Sequence, residues 1–202
     1  MASAKEIKNH IGSVKSTQKV TNAMYLISST KMRRAREELA QTQPYFDALR
    51  TEICRAFQHS DSRKSHYVAG HREEKPGDAY GYLVRAADRG LAGAYNQNVI
   101  QKALHLMEQH QNNRLFVIGD YGRQYFRTHR IPVEKSFLYA AQSPSVPRAR
   151  EMGALLLDLY DRGEIQRLYV VYTEMGDGMD LIVHADCLLP IYPETFAQDG
   201  QE

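Results

Sequence analysis

"AKEIKNHIGSVKSTQKVTNAMYLISSTKMRRAREEL", residues 4–39, contains no proline and one glycine, Gly12. One stripe runs through it at alternating steps of four and three: Ile7, Ile11, Val14, Gln18, Thr21, Tyr25, Ser28, Met32, Ala35 and Leu39. Those steps average 3.5 residues, the period of a coiled-coil seam. The stripe continues as Thr42, Phe46, Leu49, Ile53 and Ala56, and Val20, Met24 and Ile27 widen it in the middle. Ser3 and Glu6 form an S-x-x-E capping box at its start, which pairs free backbone N–H groups with side-chain oxygens. The spacing predicts one helix over 3–59, roughly 85 Å long at 1.5 Å per residue. Pro44 is the flaw: it removes a helical hydrogen bond and is expected to bend or locally break the helix.

The remainder changes character. Residues 60–79, "SDSRKSHYVAGHREEKPGDA", mix Ser, Gly, Pro and alternating charge without apolar periodicity, and read as a linker. Residues 80–192 alternate strand and helix patterns. "YGYLVRAA" (80–87), "RLFVIG" (114–119) and "VEKSFL" (133–138) read as strands. "NQNVIQKALHLMEQH" (96–110), "DYGRQYFRTH" (120–129) and "SVPRAREMGALLLDLYDRG" (145–163) read as helices. Asn96 falls near the first cap; Ser145, Pro147 and Gly163 punctuate the last helix. "RLYVVYTEMGDGMDLIVHADCLLPI" (167–191) reads as two strands turning at Asp177–Gly178. The expected organisation is a long coiled-coil helix (1–59), a linker (60–79), an α/β domain (80–192) and a C-terminal tail (193–202). The fold class is α/β: a mostly parallel Rossmann-like sheet with an antiparallel last strand.

Composition narrows the chemistry. A formal charge of +2 over 202 residues is too mild to argue for nucleic acid. No run of eighteen apolar residues spans a membrane, and "MASAKEIKNH" lacks the apolar segment of a secretory signal. Cys54 and Cys187 stand far apart, outside any CxxC, as expected of reduced thiols. The Gly-rich turn "DRGLAGAYNQN" (88–98) lies between a strand and a helix, where a phosphate loop would be. It is neither GxGxxG nor GxxxxGK[ST] and lacks the Walker lysine, so a tight turn is the simpler reading. The eight histidines make no HExxH; His105 and His110 do not share a helix face, and His66 and His71 lie in the linker. Glu174, Asp177 and Asp180 cluster at the hairpin, where turn chemistry accounts for them. No GxSxG is present. Lys31, Arg33, Arg34 and Arg36 place four cations within two helical turns: either a solvated face partly paired with Glu37 and Glu38, or a contact for an acidic surface.

The stretch at 4–39 resembles the N-terminal helix of the gamma subunit of F-type ATP synthase. "DRGLAGAYNQNV" is similar to that family's second signature, with Ala92 where Cys is usual and Ala94 where Gly is usual. The resemblance implies a central-stalk rotor subunit. Its N- and C-terminal helices form an antiparallel coiled coil inside a ring of alpha and beta subunits, and its α/β domain lies near epsilon and the membrane rotor ring. Rotation couples proton or sodium flow to ATP synthesis and hydrolysis at sites belonging mainly to beta. Gamma itself has no catalytic residue, cofactor or metal. The implied location is peripheral, on the cytoplasmic face of a bacterial membrane or the equivalent face of another energy-transducing membrane. The implied ring contacts are Met24, Lys31, Arg33, Arg34 and Arg36. The implied seam is Ile7, Ile11, Val14, Tyr25, Met32 and Leu39.

The family continues past its last strand into a long C-terminal helix, whereas this sequence stops at "LLPIYPETFAQDGQE"; the expectation is a truncated product or a natural short form. The cysteine pair of redox-regulated chloroplast forms is also absent from the linker. Two other classes stay open from the residues alone: a self-associating coiled-coil scaffold and an α/β nucleotide-binding enzyme.

Overall fold

The computed structural model describes residues 3–59, 65–69, 75–137, 141, 144–176 and 180–197. The chain divides into two compact units, Met1–Gln58 and His59–Glu202.

The first unit is helical. Helix α1 spans Ala4–His59, 56 residues, or about 84 Å at the standard rise. The capping box forms at its start: the Ser3 N–H donates to Glu6 Oε2 (2.7 Å), while Ser3 Oγ accepts from the Lys5 N–H (3.2 Å). Pro44 does not break α1, which runs through it as α-helix. Proline has no N–H to offer the Ala40 carbonyl, but both residues are exposed, so water can take the missing donor's place. Thr21, Thr30, Thr42 and Thr51 each donate a hydroxyl hydrogen bond to the carbonyl four residues back. That is how a helix absorbs hydroxyl side chains on a polar surface.

The second unit is a three-layer α/β fold. Its strands are β1 (Ala79–Arg85), β2 (Asn112–Ile118), β3 (Lys135–Phe137), β4 (Arg167–Met175) and β5 (Leu181–Leu189). Its helices are α2 (Tyr95–Met107), α3 (Asp120–Thr128), α4 (Val146–Asp161) and the short α5 (Pro193–Ala197). The sheet order is β3-β2-β1-β4-β5. The pairs β1/β2, β1/β4 and β2/β3 are parallel; β4/β5 is antiparallel, as the closing hairpin pattern predicts. The Asp177–Gly178 turn itself lies outside the described residues.

Period-two alternation divides the core. Tyr82, Val84, Leu115, Val117 and Val171 point to one face, where they pack with Val99, Ile100 and Ala103 of α2 and Phe126 of α3. Leu83, Phe116 and Leu168 point to the other, against Leu156 of α4. Strand segments buried on both faces must be apolar, which is why Tyr82–Val84 of β1 and Leu115–Val117 of β2 read as continuous hydrophobic runs. Burying a side chain such as Phe116, with no exposure, stabilises the fold by about 1.5–3 kcal/mol.

Two helix ends differ from expectation. Asn96 is the second residue of α2, not its cap; Ala94 holds the cap position without a side-chain bond. Ser145 holds the cap position of α4, but its hydroxyl makes no capping bond. The other end of α4 follows the sequence. Gly163 has φ +69°, and the N–H groups of Gly163 and Glu164 reach back to the carbonyls of Tyr160 and Leu159 (both 2.9 Å). That is a Schellman ending, which needs a residue at ease with positive φ.

Candidate functional site

Three places can carry function: the surface of α1, the turn after β1, and the polar side chains of the β4/β5 pair.

The seam residues of α1 are not sequestered. Ile7, Ile11, Val14, Tyr25 and Leu39 keep between 49% and 71% of their surface in solvent, and Met32 is half-buried. Val20, Met24, Leu26 and Ile27 are exposed too. A 3.5-residue stripe on a 3.6-residue helix drifts by roughly 20° per heptad, about 90° between Ile7 and Leu39. The apolar surface therefore winds slowly around the helix, the form that a supercoiling partner helix follows.

The four cations do not share one face. With Met32 and Ala35 on the seam, Lys31 and Arg36 flank it on either side, in the positions that reach across to a partner helix. Arg33 and Arg34 point away from it. Arg34 Nε lies 2.8 Å from Glu38 Oε1, and Arg33 Nε lies 4.0 Å from Glu37 Oε1; all four side chains are well exposed. Such pairs hold a side chain loosely, at about 0.3–0.5 kcal/mol each, so a stronger acidic partner can displace them.

In the turn after β1, Asn96 is the organising residue. It is buried, its Oδ1 accepts from the Ala87 N–H (2.8 Å), and its Nδ2 donates to the Arg89 carbonyl (3.1 Å). The Tyr121 N–H donates to the Ala87 carbonyl (3.1 Å) and ties the turn to α3. Gly93 takes φ +54° and Leu91 φ +59°, and Leu91 is 95% exposed. A side chain of the protein thus bridges one amide and one carbonyl across the loop. The Gly-rich turn is a fastened strand-to-helix connection. The sequence pattern contains Asn96, but the carbonyl and amide it joins could not be assigned without the path of the turn.

On β4 and β5, Tyr172 donates its hydroxyl to Asp186 Oδ2 (2.8 Å), and His184 Nε2 lies 3.0 Å from Glu174 Oε2. Burial first, then the Asp186 hydrogen bond, push the Tyr172 phenol up to about 12. Glu174 thus faces His184, whose buried Nε2 makes no hydrogen bond among the described residues; Asp177 lies outside them; and the Asp180 main-chain carbonyl accepts from the Gly176 N–H. Among the described residues no group of three or more His, Cys, Asp or Glu could hold a metal. Cys54 and Cys187 form no disulfide. Burial raises the Cys187 thiol above its ordinary value, opposite to what a nucleophile needs. Among the described residues no helix is long and apolar enough to cross a membrane.

The family described as ATP synthase matches residues 3–202. The chain is 37% identical over 196 residues to the ATP synthase gamma chain of Ruminiclostridium cellulolyticum, covering 96% of this chain and 66% of that one. It is 33% identical over 201 residues to the ATP synthase gamma chain of Acetivibrio thermocellus, covering 100% and 68%. It thus spans about two thirds of the length of these relatives. Its fold is similar to that of a chain in the central stalk and c-ring structure of the Tetrahymena thermophila mitochondrial ATP synthase. There the TM-score is 0.63 at 16% identity, over 85% of this chain and 72% of that one. A rotor chain of the Euglena gracilis mitochondrial ATP synthase gives a TM-score of 0.62 at 11% identity, over 97% and 66%. A long helix bearing an unsheathed 3.5-residue stripe, an α/β sheet with an antiparallel last strand and a Gly-rich turn fastened by Asn96 accompany this sequence identity: the chain belongs to the ATP synthase gamma chain family.

Proposed function

We propose that this chain is a central-stalk rotor subunit of an F-type ATP synthase, transmitting torque between an ion-driven membrane ring and an alpha/beta ring that makes and hydrolyses ATP. The observation that carries this reading is α1: 56 continuous helical residues with an apolar stripe at coiled-coil period left in solvent. A rod of this kind transmits rotation once a second helix covers the stripe Ile7, Ile11, Val14, Tyr25, Met32 and Leu39. The α/β unit is the docking end, facing epsilon and the membrane ring. The subunit itself contributes no bond chemistry and sits peripherally on the membrane through its partners.

The ring contacts are assigned to Met24, Lys31, Arg33, Arg34 and Arg36. Arg33 and Arg34, turned away from the seam, are the pair that can meet acidic loops of a surrounding ring; Lys31 and Arg36 are placed to span the seam. Co-expression with alpha and beta subunits tests the reading: a stoichiometric complex that hydrolyses ATP is expected. The double charge reversal Arg33→Glu/Arg34→Glu should uncouple hydrolysis from ion pumping while lowering the Tm of the isolated chain by less than about 3 °C, since exposed pairs add only about 0–1 kcal/mol each. No complex with alpha and beta, together with a stable self-dimer of the isolated chain, would favour the scaffold reading instead.

A further inference from the structure

Within the second unit, the first described residues after α1 are not loose against the α/β core. Segment 65–69 lies along it, and two backbone bonds fix it there: the Ala69 N–H donates to the Ile191 carbonyl (2.8 Å), and the Ile191 N–H donates to the Tyr67 carbonyl (2.6 Å). Val68 bridges Ile191 in parallel and is only 5% exposed. At its N-terminal end the segment is held by side chains from the end of α4. His66 Nε2 is 2.9 Å from Asp161 Oδ1, and the Tyr67 hydroxyl donates to Asp161 Oδ2 (3.0 Å). The Tyr160 hydroxyl donates to the His66 carbonyl (3.1 Å). The imidazole of His66 lies on the Tyr67 ring with centroids 3.9 Å apart, and both rings lie near Tyr160, at 6.2 and 6.0 Å. One carboxylate therefore receives both side chains of the segment, and one of those is an imidazole.

We propose that residues 65–69 are a strap whose hold on the α/β unit is set by the His66–Asp161 pair, tighter when His66 is protonated. Closed, the strap makes Tyr67–Ala69 the first point after α1 at which the described backbone is fixed to the α/β core. Open, that point moves to Gly77, whose carbonyl accepts from Asn112 Nδ2 (3.3 Å) just before β1.

The chemistry gives the direction. Imidazole changes charge between about pH 5 and 8. Protonated His66 faces an ionised Asp161 across a charge-assisted hydrogen bond. A neutral imidazole carrying its proton on Nε2 still donates, so raising the pH weakens the strap without cutting it. The titratable groups set against His66 among the described residues are Asp161 and Tyr160 of α4 and Tyr67 of the strap itself. Arg162, the next residue, is turned to Asp158 and Glu164. The His66 contact first, then the Tyr67 hydroxyl, hold the Asp161 carboxyl below its ordinary value. A group depressed in the closed form contributes to closure above its ordinary pKa, and that contribution is lost as pH falls through the depressed value. The strap is therefore tightest in mildly acidic solution, looser above neutrality, and looser again in strong acid.

Amide hydrogen exchange on the full chain tests this. Protection factors of the Ala69 and Ile191 amides are taken relative to unstructured rates at each pH, with Val84 in the central strand as reference. We expect both to be about threefold higher at pH 5.5 than at pH 8, a size set by the modest worth of exposed ion pairs, with Val84 unchanged. Asp161→Asn keeps an acceptor for Tyr67 but removes the charge, and should bring the ratio to one. His66→Gln should do the same. A wild-type ratio of one, or an Asp161→Asn protein that keeps the threefold ratio, overturns the proposal.

Discussion

Gly119 and Gly153 both sit in or beside helices, yet substituting each should move stability in opposite directions. Gly119 precedes α3 with φ +96°, and a Cβ there would lie 2.2 Å from the Ala86 carbonyl oxygen. Backbone does not yield as a flexible side chain does, so Gly119→Ala should cost about 2–4 kcal/mol in urea unfolding of the α/β unit. Gly153 lies inside α4 with nothing within 4 Å of a built Cβ. Gly153→Ala should gain about 0.5–1 kcal/mol by the same measurement, because alanine loses less backbone freedom. At Asn96 the issue is hydrogen bonding. Asn96→Ala would strand the half-buried Ala87 N–H, a loss of about 1 kcal/mol. These residue roles differ in legibility. Gly163 could be read from the sequence because a helix stop is local chemistry. The partners of Asn96, nine and seven residues away, depend on the path of the turn. The His66–Asp161 pair, 95 residues apart, leaves no pattern in sequence at all.

At the scale of elements, α1 shows how strongly a long periodic segment resists one wrong residue. Proline in a helix interior costs about 3 kcal/mol relative to alanine, yet the flanking turns carry α1 through Pro44 because dozens of neighbouring hydrogen bonds hold the same geometry. The break expected from local propensity is therefore absent. The cost should remain as local opening. Pro44→Ala restores a donor to Ala40 and should slow amide exchange over residues 41–48 by tenfold or more, while leaving β1 and β2 unaffected; equal exchange in both proteins would show that Pro44 is not a weak point. The sheet shows the opposite balance. β3 is three residues long and carries little intrinsic preference, but β2 supplies a template and the core contact of Phe137 holds it. Strand existence was readable from runs such as "RLFVIG"; strand order was not, because parallel neighbours are chosen by how α2, α3 and α4 cover the two faces.

For the whole molecule, the two units should differ sharply in protection. An exposed amphipathic helix draws little stability from propensity alone and most from packing of its apolar face. In a dilute monomer, amides of residues 7–39 should exchange orders of magnitude faster than those of Tyr82, Val84 and Phe116. Strong protection over 7–39 without an added partner would mean that the stripe is covered within this chain. What the sequence determined by itself was whatever depends on neighbours along the chain: the extent of α1, its 3.5-residue stripe, the capping box, the Schellman end of α4, the strand–helix alternation and the antiparallel closing pair. The tertiary structure alone decided the order β3-β2-β1-β4-β5, the fastening of the Gly-rich turn by Asn96, and the strap held by Asp161. The physical reason is the range of the forces involved. Periodicity and capping act within about four residues, whereas a sheet register, a buried amide and an ion pair join atoms whose separation in sequence is fixed by the packing of the core.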